Sequence, residues 1–445
     1  WLAKDQVYAL VRDDMLGSLE ALPDTVQAPL LRAVVRCVDA TRDGPQASAE
    51  HVRSLYYPLI VQAAQTRMNA AALAPSPLSV QSALALWCAL AEAADPSTSG
   101  LVHVHLCTQL PAMTALVSHQ AAQADVQITA MQAMHALLRA APELDAAVLP
   151  DLARYTFMLL ETAHACLGTV RDPDATQESV IVTYLHVVEE LVRACTEAPM
   201  LHTWCLRALE IMAPVLSLDV LRIPSISEAL ATLIHAMLII LRPALLASAQ
   251  SAEPVPDLAA PFDEPCLARV PAFQLVVRAS MYLIGTCDAR TESVASAVAQ
   301  GLGYVAEGLP SFTSPCPAAQ VVMDDVIRQL CLLLFLRPMQ PAMLTPLVLA
   351  LRRTVLSRLD AHALGGAETL LPTLAASCHT PAYRAAVEQA IQHVWESRAP
   401  SPMPAPTPVM TARMQAKAEQ AAALALNRTL RPLVQHARQT LRLHT

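Results

Sequence analysis

The sequence predicts an all-α protein, organised as an array of antiparallel helix pairs. Three observations lead there. Apolar residues make up 54% of the 445-residue chain but aromatic residues only 4%. A core of that composition is mostly Ala, Leu and Val, which let helices approach closely but supply few large anchors. Ten glycines stand against 34 prolines, a balance that suits short helices punctuated by proline better than strands joined by glycine turns. No segment sustains the period-two alternation of a half-buried strand. A chain this long forms several compact domains or one extended array. It opens on Trp1 rather than Met and reads as a piece of a longer protein.

The clearest unit runs from Leu110 to Glu143, "LPAMTALVSHQAAQADVQITAMQAMHALLRAAPE". Pro111 stands near the start of a first helix, where its missing N–H costs nothing. Gln123-Ala124-Asp125 forms a polar turn, and Asp125 is expected to cap the next helix. That second helix carries a stripe of Ala130, Ala133, Met134 and Leu137 at three- and four-residue spacing, which marks the buried face. The pattern returns after Pro271 and again after Pro372. Their turns are Asp288-Ala289-Arg290-Thr291 and His379-Thr380-Pro381, and their stripes are Ala295, Val298, Leu302 and Ala386, Ala390, Val394.

Further pairs fill the intervals. Val52–Ala72 and Leu78–Ala94 are split by Pro75-Ser76-Pro77, and Leu149–Leu167 and Gln177–Cys195 by Arg171-Asp172-Pro173-Asp174. Leu201–Leu216 and Ser225–Leu246 form another pair, and Pro338–Leu359 reads as one long helical stretch. Pairs recur every 35 to 50 residues or so, the period of two-helix solenoid repeats. The expected division is residues 1–247 and 272–398 for two parts of the array, with an irregular Pro- and acid-containing loop at 248–271 between them. A Pro-rich linker at 399–408 and a basic, Ala-rich tail at 409–445 follow.

Net charge is −8, so no general footprint for nucleic acid is present and none is expected as a partner. Lys occurs only at Lys4 and Lys417, which fits a GC-rich coding bias or a preference for Arg contacts. Eleven cysteines at irregular spacing do not form a disulfide framework and point to a reducing compartment. The apolar run Leu230–Leu246 contains His235, Arg242 and Pro243, and Leu330–Leu336 stops at Arg337-Pro338. Neither offers the roughly 18 uninterrupted apolar residues of a bilayer span, and both read as buried helices.

Few residues invite a chemical reading. His103, His105 and Cys107 alternate, but on a helix they point to different faces and cannot converge on a metal. Cys378-His379 are adjacent in sequence, whereas a catalytic Cys–His pair has to meet in space. Gly301, Gly303 and Gly308 fall inside a helical pattern and read as close-packing positions, not as a nucleotide loop. Glu189-Glu190 read as a solvated face. The expectation is therefore no enzyme, no cofactor, no metal and no catalytic residue. The tail supplies the candidate contact residues: Arg413, Lys417, Arg428, Arg431, Arg438 and Arg442, against the single acid Glu419. Such a segment is a solvated extension or a contact for anionic lipid or an acidic protein surface. It is expected to stand apart behind its linker, with Pro432 breaking it into two helices.

Pro111 and Leu116 on the first helix, Asp125 in the turn, and Ala130 and Leu137 on the second resemble a HEAT repeat. The resemblance covers most of Val52–Ser397 and implies a HEAT/armadillo-like α-solenoid. Arg384 fills the place of the Arg that many such repeats carry early in the second helix; the unit at Asp125 lacks it. The order of helical array, "LLPTLAASCHTPAYRAAVEQAIQHVWES", Pro/Ala linker and basic tail around "ARMQAKAEQAAA" also resembles the C-terminal region of the large HEAT-repeat accessory proteins of the clathrin adaptor. That likeness implies a non-enzymatic protein-binding scaffold in vesicle traffic between Golgi and endosomes. It would be cytoplasmic or peripheral on those membranes, with clathrin adaptor subunits or their accessory proteins as partners. The alternative is a nuclear transport receptor or another HEAT-repeat assembly scaffold. The sparse, scattered acids count against the transport receptor.

Overall fold

The computed structural model describes residues 5–43, 46–95, 100–141, 146–167, 172–251, 272–286, 292–308, 317–336, 341–360, 370, 374, 378, 380–397 and 408–442. Among the described residues every regular element is helical. The chain divides into two compact units, Trp1–Ala229 and Leu230–Thr445.

The first unit begins with α1 (Asp5–Ala9), which widens into a π-helical turn at Leu10–Leu16, and α2 (Asp24–Asp39). It continues with α3 (Gln46–Leu73), α4 (Pro77–Ala93), α5 (Gly100–Thr108), α6 (Leu110–His119), α7 (Ala124–Ala140), α8 (Leu149–Leu167), α9 (Ala175–Ala194), α10 (His202–Met212) and the short α11 (Leu218–Leu221). Two layers form. In one, α4 packs between α2 and α7, and α7 between α4 and α9. In the other, α8 packs between α6 and α10, while α3 touches α5. The layers join where α3 meets α2 and α4, α7 meets α6 and α8, and α9 meets α8 and α10.

Local sequence accounts for the helix ends. Ser76 opens α4 with a capping box: its Oγ accepts from the Ser79 N–H at 3.1 Å, and the Ser76 N–H donates to Ser79 Oγ at 2.9 Å. Asp174 does the same for α9 with Gln177. Asp125 does not cap α7. The N-cap is Gln123, without a side-chain bond, and Asp125 lies within the first turn, where its charge complements the helix dipole. The turn is held by Gln127, a fully buried side chain whose amide donates to the carbonyls of Gln120 at 3.1 Å and Val117 at 3.4 Å. Gln27 uses the same device at the start of α2, donating to the Leu22 carbonyl at 2.8 Å.

The helix α12 (Pro224–Ile240) spans the sequence boundary between the units. The second unit then contains α13 (Arg242–Ser251), α14 (Ala272–Thr286), α15 (Glu292–Gly308), α16 (Pro317–Phe335), α17 (Leu344–Asp360), α18 (Pro381–Glu396) and α19 (Pro408–Arg442). The expected loop at 248–271 is helical as far as Ser251; the rest lies outside the described residues. The turn at Asp288 and nearly all of the expected linker also lie outside them. The stretch expected to be helical from Pro338 enters α17 only at Leu344, after a 3-10 turn at Pro341–Met343. Helix α14 packs on α13, α15 and α16, and α17 on α15 and α16. Thr380 caps α18 by accepting from the Tyr383 N–H at 3.3 Å.

The expected buried stripes are buried. Ala130, Ala133, Met134 and Leu137 have no exposure, and Ala295, Val298, Leu302, Ala386, Ala390 and Val394 face the core. The glycines of α15 mark close packing. A Cβ on Gly303 would sit 3.3 Å from the Ala350 Cα of α17, and one on Gly301 would sit 3.0 Å from the Leu238 Cβ of α12. Beside this crossing, the Arg353 guanidinium lies 3.8 Å from the centre of the Tyr304 ring.

The basic tail departs from expectation. Helix α19 runs unbroken through Pro432. It packs on α16, α17 and α18 instead of standing apart, with Leu426, Leu430, Val434 and Ala437 buried. Pro432 removes the donor to the Arg428 carbonyl. Both residues are exposed, so water can serve that carbonyl while Leu430 and Val434 anchor the helix on either side.

Two substitutions test this packing by chemical denaturation. Leu137→Ala is expected to cost about 2–5 kcal/mol, the range for a closely packed leucine. Gly303→Val is expected to cost about 1–3 kcal/mol, because the added carbons meet the Arg353 Cδ at 3.1 Å and, behind it, the Ala350 Cα, a backbone atom that cannot swing aside. A loss below about 0.5 kcal/mol for either would mean that its seam is not tightly packed.

Candidate functional site

In the first unit an open groove of about 440 Å³ lies across α2, α4 and α7. Asp24, Thr25, Ala28 and Arg32 line it from α2; Leu78, Gln81, Ser82, Ala85, Cys88 and Glu92 from α4; Thr129 and Gln132 from α7. Its lining mixes polar and apolar side chains. Most of them are the residues left over when the stripes of the same three helices turn inward.

Ion pairs fix both ends. Arg67 of α3 reaches Asp24 Oδ1 at 3.0 Å and Ser82 Oγ at 3.1 Å, joining three helices. Arg32 pairs with Glu92 across α2 and α4. Exposed pairs of this kind contribute little stability, so their main effect is to set side-chain direction. Leu78, 75% exposed, stands in this lining as an apolar anchor. Cys88 Sγ lies 3.6 Å from Glu92 Oε1. Burial, reinforced by the Glu92 charge, pushes its pKa up to about 12, so the thiol stays protonated at neutral pH and is a poor nucleophile.

A charged cluster lies between α7 and α9. The rings of His135 and His186 meet edge to face, 6.4 Å between centres. His135 Nε2 is 3.9 Å from Glu190 Oε1, His186 Nδ1 is 3.6 Å from Glu189 Oε2, and Arg193 pairs with Glu189 at 2.6 Å. The reading of Glu189-Glu190 as a solvated face is corrected here. Glu189 is buried and Glu190 half-buried. The Arg193 pair offsets the cost of burying the Glu189 charge. Burial raises the Glu190 pKa and lowers that of His135, where the neighbouring His186 adds to the effect.

Other sequence candidates disperse. His103, His105 and Cys107 lie on α5, where His103 is buried and the other two are half-buried. Among the described residues no group of His, Cys, Asp or Glu is arranged to hold a metal ion. Cys378 donates to the Leu374 carbonyl at 3.2 Å, and His379 lies outside the described residues. Arg384 is exposed and pairs with Glu388 at 2.9 Å on its own helix. Among the described residues no helix is long and apolar enough to cross a membrane.

The six basic residues of the tail all fall on α19, with Arg413, Lys417 and Arg442 placed as positions of the helix. Arg428 and Arg431 are exposed. Arg438 turns inward: its guanidinium donates to the carbonyls of Leu334 at 2.9 Å and Leu333 at 3.4 Å at the end of α16. Buried Arg352 closes α18 in the same way, through Ser397. The groove itself was not legible in the sequence, which shows no motif there. Its only trace is the polar side of α2, α4 and α7. No protein-family model matches this chain, and no curated protein matches it.

The half-buried imidazoles set an expected pH dependence. His105, His135 and His164 have pKa values lowered by burial. As pH falls through about 6.5, the unfolded chain takes up protons that the folded state resists, so folding stability falls. Glu190 acts oppositely, because its raised pKa favours the folded state as it protonates. Three imidazoles outweigh one carboxyl, so Tm is expected to drop between about pH 7.5 and 5.5, with a shallower drop in His135→Gln. A Tm that is flat over this range would refute the assignment.

Proposed function

We propose that this chain is a non-enzymatic protein-binding scaffold of the HEAT/armadillo-like α-solenoid type. One observation carries the reading: the side-by-side succession of α2, α4, α7 and α9 over a second layer containing α6, α8 and α10. Stacked helix pairs bury one face against their neighbours and leave an extended face available for a partner. The groove across α2, α4 and α7 occupies such a face and combines an exposed leucine with hydrogen-bonding side chains. That mixture suits a polypeptide segment, with an apolar side chain against Leu78 and polar groups over Gln81 and Gln132.

The cellular setting we propose is that of an accessory factor in clathrin-adaptor-dependent traffic between Golgi and endosomes. Support for it is the order of helical region, Pro/Ala stretch and basic C-terminal helix, the order on which the family resemblance rests. Adaptor subunits or their accessory proteins are the proposed partners, and the proposed location is cytoplasmic, peripheral on those membranes.

Affinity capture with the intact chain and with a Leu78→Asp/Gln132→Glu variant tests both parts. Leu78 is exposed and Gln132 lies at the surface, so the variant is expected to fold normally. A specific partner should be recovered by the intact chain and fall at least tenfold or so with the variant, a change of about 1.4 kcal/mol in binding. Identical recovery would place the binding face elsewhere. Recovery of nuclear transport components in place of adaptor subunits would reject the traffic setting while leaving the scaffold intact.

A further inference from the structure

Because α19 is continuous, its basic residues can be placed around one axis. At about 100° per residue, Arg413, Lys417, Arg428, Arg431, Arg438 and Arg442 all fall within one arc of about 80°. The arc extends along about 44 Å of helix, from 29 steps of about 1.5 Å. It lies beside the buried stripe of Leu426, Leu430, Val434 and Ala437, not across it. The helix holds six of the chain's 30 Lys and Arg but only one of its 38 Asp and Glu. In an acidic protein, this places the basic positions along one side of a single helix.

We infer that α19 is a peripheral membrane-contact helix, whose basic stripe lies along a surface of anionic lipid headgroups. Two features favour a bilayer over an acidic protein. A bilayer offers anionic groups in a plane, which basic residues on one side of a helix of many turns can meet at several points along it. Leu424, 49% exposed, falls in the middle of the same arc, where it can enter the headgroup region. The main apolar face of α19 is already committed to α16, α17 and α18. Contact is therefore mainly electrostatic and shallow, without the deep insertion of a free amphipathic helix. Arg438 spends two donors on the α16 carbonyls and serves chiefly to hold the stripe in place. This inference does not depend on the groove.

The test is co-sedimentation of the full chain with vesicles of phosphatidylcholine alone and of phosphatidylcholine with phosphatidylserine. Binding is expected only to the anionic vesicles, and it should weaken strongly between about 0.1 and 0.5 M salt as screening shortens. Each basic residue near such a surface contributes about fivefold in partitioning, so Arg428→Gln/Arg431→Gln should reduce binding on the order of 20-fold. Both residues are exposed, and the variant should keep the helical circular dichroism of the parent. Arg222→Gln, an exposed change in the other unit, should bind like the parent. Failure to bind anionic vesicles at low salt, or equal binding by parent and double variant, overturns the inference. Retention on soluble polyglutamate without vesicle binding would overturn it in favour of an acidic protein partner.

Discussion

Close approach of helices through small side chains is the constraint on which the rest of this structure depends. With so few aromatic residues, large rings can fill only a few of the gaps between helices. The chain instead brings backbones together over Ala and Gly. Ala130 and Ala133 on α7 are fully buried, and at Gly303 the α15 and α17 backbones are too near for a methyl group to fit without adjustment. Dispersion grows steeply as surfaces close, so many small contacts replace a few large anchors. The few large aromatic groups act as local ties. Phe157 and Trp204 meet edge to face at 5.0 Å between α8 and α10, and buried Tyr184 donates to the Ala208 carbonyl at 2.8 Å.

Close helix packing leaves the turns little room, and polar side chains finish them from within. Gln27 and Gln127 are buried amides that bind carbonyls of the preceding segment. His202 Nε2 lies 2.9 Å from the Cys195 carbonyl at the end of α9. Arg352 and Arg438 donate to helix ends in the second unit. An Arg fork reaches two acceptors at once while its stem covers apolar surface. This gives the near-absence of Lys a structural side: at these positions a point charge would not replace the guanidinium.

The packing leaves two surfaces uncovered. In the first unit, the outer sides of α2, α4 and α7 form a groove of mixed lining with Leu78 beside it. In the second, burial of one side of α19 fixes the rotation of the whole helix and thereby aims its basic edge. Neither surface carries an activated nucleophile. The thiol in the groove is held protonated by burial and a neighbouring carboxylate.

The sequence by itself determined most helices of the first unit in outline and the inward faces of α7, α15 and α18. The bounds of α7 and α8 follow from proline, polar turns and apolar period, and every position assigned to a buried stripe is buried. These are local properties, encoded within a few turns of the residues that express them. Tertiary structure decided the rest. It made Pro432 tolerable by anchoring α19 on both sides, and it drew Arg438 away from solvent onto α16. It buried Glu189 beside Arg193, left the first N–H groups of α7 without the side-chain cap expected from Asp125, and held the turn instead through Gln127, which donates to carbonyls of the preceding segment. Each outcome depends on which surface lies opposite a side chain. Helical period tells which way a residue points along its own helix, but only long-range packing supplies what it meets there.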